Sequence, residues 1–75
     1  MAIKFYASYG ATSGTYTLNE PQTIAVVKER LGRAWGVCLA GYSNRSLPSM
    51  ASLSDTDVVA NGMRLEFVKP AGDKG

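Results

Sequence analysis

The chain has 75 residues, 45% of them hydrophobic, which is enough for one compact domain with a single core. Eight Lys and Arg residues against six Asp and Glu give a formal charge of only +2, spread along the chain, which argues against nucleic-acid binding. Histidine is absent, so the commonest general base and metal ligand is missing, and an enzymatic function is disfavoured.

Cys38 is the single cysteine, so the chain has no internal disulfide. No Cys-x-x-Cys pair or Cys/His cluster is present, and we therefore expect neither a metal site nor a cofactor. The N-terminus lacks a charged start followed by a long apolar run, and no apolar stretch approaches the roughly 20 residues needed to span a bilayer. These features predict a cytoplasmic protein that is not bound to a membrane.

The first element is predicted to be a strand over residues 2 to 9, because apolar and polar residues alternate there. The small residues from Gly10 to Gly14 predict a turn. A second strand is expected over residues 15 to 18, where β-branched threonines alternate with Tyr16 and Leu18. The two strands should form an antiparallel hairpin.

A helix is predicted after Pro21, which cannot continue a strand ladder. Thr23 is the expected N-cap. Ile24, Val27 and Leu31 lie at helical spacing and form an apolar face. Residues 28 to 30 lie mostly on the opposite face. Both Gly32 and Gly36 could end the helix, and Gly36 is favoured as the C-terminal cap.

A third strand is predicted over the apolar run from Val37 to Ala40. Residues 42 to 52 are rich in serine and predict irregular structure, with room for a very short strand. Residues 53 to 58 suggest one turn of helix capped by Ser54 or Asp55.

The last predicted elements are a tight turn and a strand. Asn61-Gly62 favours the turn. Alternation from Met63 to Val68 predicts the final strand, which Pro70 ends. The predicted fold class is therefore α+β, with a mixed four- or five-stranded sheet packed on one helix.

This order of elements resembles the ubiquitin-like β-grasp family. The motif Thr23-Ile24-x-x-Val27-Lys28-x-x-Leu31 resembles the start of the ubiquitin helix. Leu53-Ser54-Asp55-x-x-Val58, followed by Leu65-Glu66-Phe67-Val68, is similar to a ubiquitin turn and last strand. Residues 37 to 41 resemble the third ubiquitin strand, so the likeness covers nearly the whole chain.

The last four residues of the sequence also resemble those of a known family. Gly72-Asp73-Lys74-Gly75 is similar to the ending of bacterial ubiquitin-like proteins, notably the protein C family of the PRTRC systems. The resemblance implies a β-grasp domain over residues 1 to 70 and a flexible tail over residues 71 to 75. Lys74 departs from the double glycine of ubiquitin and the sulfur carriers, so an activating partner has to accept it.

By resemblance, an E1-type adenylating enzyme would activate the carboxylate of Gly75 with ATP, and an acyl group would pass to sulfur and then to a target amine. The chain itself would not be an enzyme. Implied partners are the E1-like enzyme, optionally an E2-like enzyme, a deconjugating protease and unidentified targets. Two alternatives stay open, namely a sulfur carrier with a C-terminal thiocarboxylate and a non-covalent interaction module.

The same resemblance implies roles for further residues. Gly72, Asp73 and Lys74 would be read by the partner. Cys38 and Val68 match an isoleucine and a valine of the exposed ubiquitin recognition patch, which is expected to be smaller and less apolar here. Within the predicted third strand, Cys38 would act as a small hydrophobic residue rather than a nucleophile.

The remaining charged candidates have simpler interpretations. Asp55 and Asp57 are the only close pair of carboxylates, and helix capping explains them better than acid–base chemistry or a metal. Lys28 matches a ubiquitin lysine that is mostly structural. The resemblance does not single out an acceptor for chain formation, for which the candidates are Lys4, Lys28, Lys69 and Lys74.

Overall fold

The computed structural model describes residues 2–69. The elements in chain order are β1 (Ile3–Tyr9), β2 (Thr12–Leu18), α1 (Ile24–Trp35), β3 (Ser43–Ser46), β4 (Ala51–Leu53) and β5 (Arg64–Val68). The strands form one five-stranded sheet in the order β2-β1-β5-β3-β4. The sheet is mixed, because β1 and β5 are parallel and the other pairs are antiparallel. The predicted α+β class, with one helix on a mixed sheet, is confirmed.

The hairpin is tighter than predicted. Tyr9 pairs with Thr12, so Gly10 and Ala11 alone make the loop and β2 begins three residues earlier than expected. A two-residue loop needs a positive φ at its first position, and Gly10 supplies it with φ of 57°. The small residues that suggested a long turn therefore belong to the strand.

The helix begins and ends where the sequence predicts. The Thr23 side chain accepts a hydrogen bond from the backbone N–H of Val26 at 3.5 Å. Gly36 ends the helix in the left-handed conformation, with φ of 71°, and its N–H bonds to the carbonyl of Gly32. Gly32 itself lies inside the helix.

The third predicted strand is wrong. Residues 37–40 form no strand, and Leu39 instead packs into the core with 2% of its surface exposed. The true β3 lies in the polar segment Ser43–Ser46, which pairs with β5 on one side and β4 on the other. Only Asn44 of its four residues is buried, so the segment shows neither the alternating hydrophobic pattern of a strand nor the spacing of a helix.

The predicted helical turn over residues 53–58 is also wrong, because this segment is a turn closed by Asp57. The Asp57 carboxylate accepts from the Ser54 N–H at 2.8 Å. Backbone carbonyls of Asp55 and Asp57 accept from the N–H groups of Ala25 and Ile24. The segment thus supplies acceptors that the first turn of α1 cannot find within the helix.

The core lies between α1 and the inner face of the sheet. The final strand shows the predicted alternation, with Leu65 and Phe67 buried. The buried apolar side chains are Ile3, Phe5, Ala7, Leu18, Ile24, Val27, Leu31, Leu39, Val59, Leu65 and Phe67. No helix in the described part of the chain is long and apolar enough to cross a membrane.

Candidate functional site

The predicted activation site lies outside the described residues. This holds for Gly75 and for Gly72, Asp73 and Lys74 before it. The structure does locate the strand that precedes them. β5 is the middle strand of the sheet and ends at Val68, and the exposed Lys69 follows it.

A cleft of about 510 Å³ lies at this end of β5. It is lined by the hairpin loop on one side and the end of β5 on the other, with two tyrosines, Tyr9 and Tyr42, among its lining residues. The tyrosine rings meet edge to face with centroids 5.3 Å apart, and the Tyr42 hydroxyl donates to the Tyr9 hydroxyl at 3.4 Å. These contacts hold an aromatic surface beside Val68 and Lys69.

An aromatic cluster supports the two tyrosines. Trp35, at the end of α1, stacks on Tyr9 with centroids 6.2 Å apart and contacts Tyr16 and Phe67 at 6.1 and 6.4 Å. Its indole N–H donates to the Tyr16 hydroxyl at 3.1 Å. This cluster was not predicted from the sequence, although Trp35 follows Leu31 by one helical turn and Tyr9 is in phase with the core residues of β1.

Cys38 and Val68, the two residues expected in a recognition patch, line different surface grooves. Val68 is half-buried in the cleft at the end of β5. Cys38 is exposed, and it lines a different groove, beside α1. The expectation that Cys38 lies within a strand as a buried small hydrophobe is therefore wrong, because the polypeptide leaves α1 through an irregular segment at that point.

Lys28 was expected on the solvent face of α1, and it is instead 3% exposed. Its ammonium group donates to the Tyr42 carbonyl at 2.7 Å and to the Asp55 carboxylate at 3.2 Å. Asn44 joins this network through its side-chain amide, which donates to the same Asp55 oxygen at 2.6 Å and to the Leu53 carbonyl at 3.3 Å. The network ties α1 to β3, to the segment before β3 at Tyr42, and to the end of β4 and the turn after it at Asp55.

The network holds the pKa of Asp55 below its ordinary value of 3.8. The hydrogen bond from Asn44 has the largest effect, since it favours the ionised carboxylate. Partial burial opposes it, and the hydrogen bond and positive charge of Lys28 add to the lowering. Asp55 is thus a structural anion that binds a buried lysine, rather than the helix cap expected for it.

The other carboxylate of the predicted pair also has a structural contact. The side chain of Asp57 closes the turn onto Ser54. The described residues contain no group of three or more His, Cys, Asp and Glu side chains placed to hold a metal ion.

The outer face of the sheet, opposite α1, is polar. Alternation places Lys4, Tyr6 and Ser8 there from β1 and Arg64, Glu66 and Val68 from β5. The register adds Ser43 and Arg45 of β3. The guanidinium of Arg64 lies 5.3 Å from the centroid of the Tyr6 ring. Among the described outward residues of these three strands, Val68 is the only aliphatic one.

Comparison with known proteins shows the fold alone. No protein-family model matches the sequence, and no curated protein matches it. Among solved structures, the chain is similar to a protein designed de novo on the basis of ubiquitin, with a TM-score of 0.74 and 15% sequence identity. The match covers 99% of this chain and 95% of the designed chain. The chain therefore has a ubiquitin-like β-grasp fold.

Proposed function

We propose that the chain is a ubiquitin-like protein modifier, which an E1-type enzyme activates at the carboxylate of Gly75. The observation that supports this proposal is the ubiquitin-like fold, in which the central strand β5 ends at Val68, a few residues before Gly72-Asp73-Lys74-Gly75 in the sequence. The likeness of that ending to the PRTRC protein C family stays a prediction.

The proposed chemistry takes place on the partner enzyme. A carboxylate oxygen of Gly75 attacks the α-phosphorus of ATP, and pyrophosphate leaves. A cysteine thiolate of the enzyme attacks the acyl-adenylate, AMP leaves, and a thioester forms. An amine of the target then attacks the thioester, and the enzyme thiol leaves. Glycine suits this sequence because it has no Cβ to hinder attack at its carbonyl carbon.

The cleft at the end of β5 offers the activating enzyme a surface beside Val68 and Lys69, which precede the proposed reacting end in the sequence. Tyr9 and Tyr42 present ring edges and hydroxyl groups there, and Lys69 adds a positive charge. Tyrosines supply contact area with little loss of conformational entropy on binding. We propose that partner recognition uses this cleft, including Val68, while a contact at Cys38 stays a separate prediction.

The test is a tagged chain ending at Gly75, expressed in its source cells and purified under denaturing conditions. Trypsin cleaves after Lys74, so a conjugated target should carry a single glycine on a lysine side chain. The matched control lacks Gly75 and should form no conjugate. Because residue 75 lies beyond β5, both forms should have the same far-UV circular dichroism spectrum and melting temperature.

Intact mass separates the alternatives. Replacement of one oxygen by sulfur at the C-terminus would show a sulfur carrier and overturn the modifier proposal. Absence of both adducts, with partners co-purifying equally with and without Gly75, would show a non-covalent interaction module. Tyr9→Ala with Tyr42→Ala should reduce conjugation severalfold, and Arg30→Ala with Arg33→Ala, two exposed residues of α1, should not.

A further inference from the structure

The outer face of the sheet gathers positive charge that is dispersed in the sequence. Lys4 and Arg64 are exposed there, and Arg45 is half-exposed, whereas Glu66 is the one acidic side chain of these strands on this face. Among residues 2–69, none of these four side chains forms an ion pair, since the two ion pairs found join Lys28 to Asp55 and Arg33 to Glu29. The cations are therefore available to a partner.

Two of the cations border one cleft, of about 240 Å³. Lys4 and Arg64 line it, and Tyr6 and Thr15 are among its other lining residues. Tyr6 lies directly opposite both Thr15 and Arg64 in the sheet, and Lys4 is two residues from Tyr6, about 7 Å along the strand. None of the described residues that line this cleft carries a carboxylate.

The backbone around the cleft is held in place. The backbone N–H of Lys4 donates to the side-chain oxygen of Asn61 at 2.9 Å, and the Lys4 carbonyl accepts from Gly62 at 2.7 Å. The Tyr6 N–H donates to the Met63 carbonyl at 2.9 Å. These bonds fix the turn before β5 against β1, so the backbone positions of Lys4 and Arg64 are set before any partner binds.

We propose that this cleft docks an acidic segment of a partner protein, with a glutamate or aspartate carboxylate between Lys4 and Arg64. Arginine binds carboxylates through two parallel hydrogen bonds, and lysine adds a point charge. The Thr15 hydroxyl is a further donor. This surface is separate from the proposed chemistry at Gly75 and does not depend on it.

Two observations favour an acidic protein segment over a nucleic acid. Single-stranded nucleic acids bind aromatic side chains on which their bases stack. Tyr6 is the one outward-facing aromatic residue among the described residues of the cleft, and Arg64 already covers its ring. Glu66 stands in the adjacent position of β5 on the same face and would repel an extended phosphate backbone. A short run of carboxylates can avoid Glu66.

The experiment titrates the full ¹⁵N-labelled chain with a hexaglutamate peptide, with hexaglutamine and a deoxythymidine decamer as comparison ligands. Hexaglutamate should shift the amide signals of Lys4, Tyr6, Gly62 and Arg64 and leave those of α1 unchanged. The affinity should fall with added salt, because the contacts are exposed ion pairs. Lys4→Gln combined with Arg64→Gln should weaken binding about fivefold or more.

Arg30→Gln combined with Arg33→Gln is the matched control. It removes the same charge from exposed positions on α1 and should weaken hexaglutamate binding less than twofold if the cleft is the site. Equal weakening by the two double variants would overturn the proposal in favour of non-specific attraction. Tighter binding of the decamer than of hexaglutamate would overturn it in favour of nucleic acid. Circular dichroism of both variants confirms that each is folded.

Discussion

Lys28 is the residue whose environment differs most from its appearance in the sequence. A lysine on an amphipathic helix is ordinarily solvated, yet its ammonium group here is buried and bonded to Tyr42 and Asp55. The Asp55 side chain is 49% exposed, so water screens part of the ion pair. The site is sensitive to substitution because the buried ammonium group of Lys28 also donates to the Tyr42 carbonyl.

Lys28→Met keeps an unbranched side chain, one atom shorter, and removes its charge. We expect the free energy of unfolding to fall by about 1–2 kcal/mol, because two hydrogen bonds to a charged group are lost while Asp55 can be rehydrated. Urea denaturation measures the change. Arg30→Met, at an exposed position on the same helix, should change stability by less than about 0.5 kcal/mol. Equal effects of the two substitutions would show that the buried network contributes little.

Asp55 makes the stability of the fold depend on pH. Its folded-state pKa lies below the unfolded value of 3.8, so its stabilisation is complete above that value and is lost as the pH falls through the folded-state pKa. Urea denaturation from about pH 6 to about pH 2 should show a steeper loss for the natural chain than for Asp55→Asn. An identical loss of stability with falling pH in the two chains would contradict the lowered pKa of Asp55 in the folded state.

At the scale of elements, the sequence was most informative where one segment carries its own signal. Helix α1 shows an N-cap, an apolar face and a glycine cap within fourteen residues, Thr23 to Gly36, and each was found as predicted. Strand β3 has no such signal. Its backbone groups are satisfied by β4 and β5, and its one buried side chain, Asn44, is polar. Its existence depends on neighbours far away in sequence.

The close approach of α1 to the segment after it depends on Gly32. A Cβ at this position would lie 2.5 Å from the carbonyl oxygen of Val37, so Gly32→Ala must displace backbone. Although alanine favours helices, we expect Gly32→Ala to lower the free energy of unfolding by about 1–3 kcal/mol. Urea denaturation should show this loss.

Gly41→Ala is the control for that substitution. No heavy atom lies within 4 Å of a Cβ added there, and the change should stay within about 0.5 kcal/mol. A Gly32→Ala chain as stable as the natural one would mean that the helix and the following segment can separate freely.

For the molecule as a whole, the aromatic cluster joins the helix to distant strands. Trp35 contacts Tyr9 of β1, Tyr16 of β2 and Phe67 of β5. It is also the only tryptophan in the sequence, so its fluorescence reports on the packing of the helix against three strands. Local opening of the helix end would therefore be visible separately from global unfolding.

We expect no such separation, because the cluster is continuous with the core. Trp35 fluorescence and far-UV circular dichroism should give coincident urea unfolding curves, as in two-state unfolding. Tyr16→Phe removes the acceptor of the indole N–H and should lower both midpoints together, with a loss of about 1 kcal/mol. A fluorescence transition at lower urea than the circular dichroism transition would contradict this expectation.

The candidate site could be predicted only in part for a similar reason. The ending Gly72-Asp73-Lys74-Gly75 is visible in the sequence because its function would depend on a few adjacent residues. The cleft of Tyr9 and Tyr42 and the cation pair of Lys4 and Arg64 are not visible, since each joins residues more than thirty positions apart. Sheet register brings them together, and the register follows from which faces are buried.

The position of β2 has a consequence for the chain in concentrated solution. β2 is an edge strand seven residues long, and within residues 2–69 no strand pairs with its side away from β1. Natural edge strands are commonly protected by lysine, proline or a bulge, and Thr12–Leu18 contains neither lysine nor proline. Two copies could therefore pair edge to edge and extend the sheet across both molecules. Concentration-dependent self-association would begin at β2, and a lysine at Thr15 would suppress it.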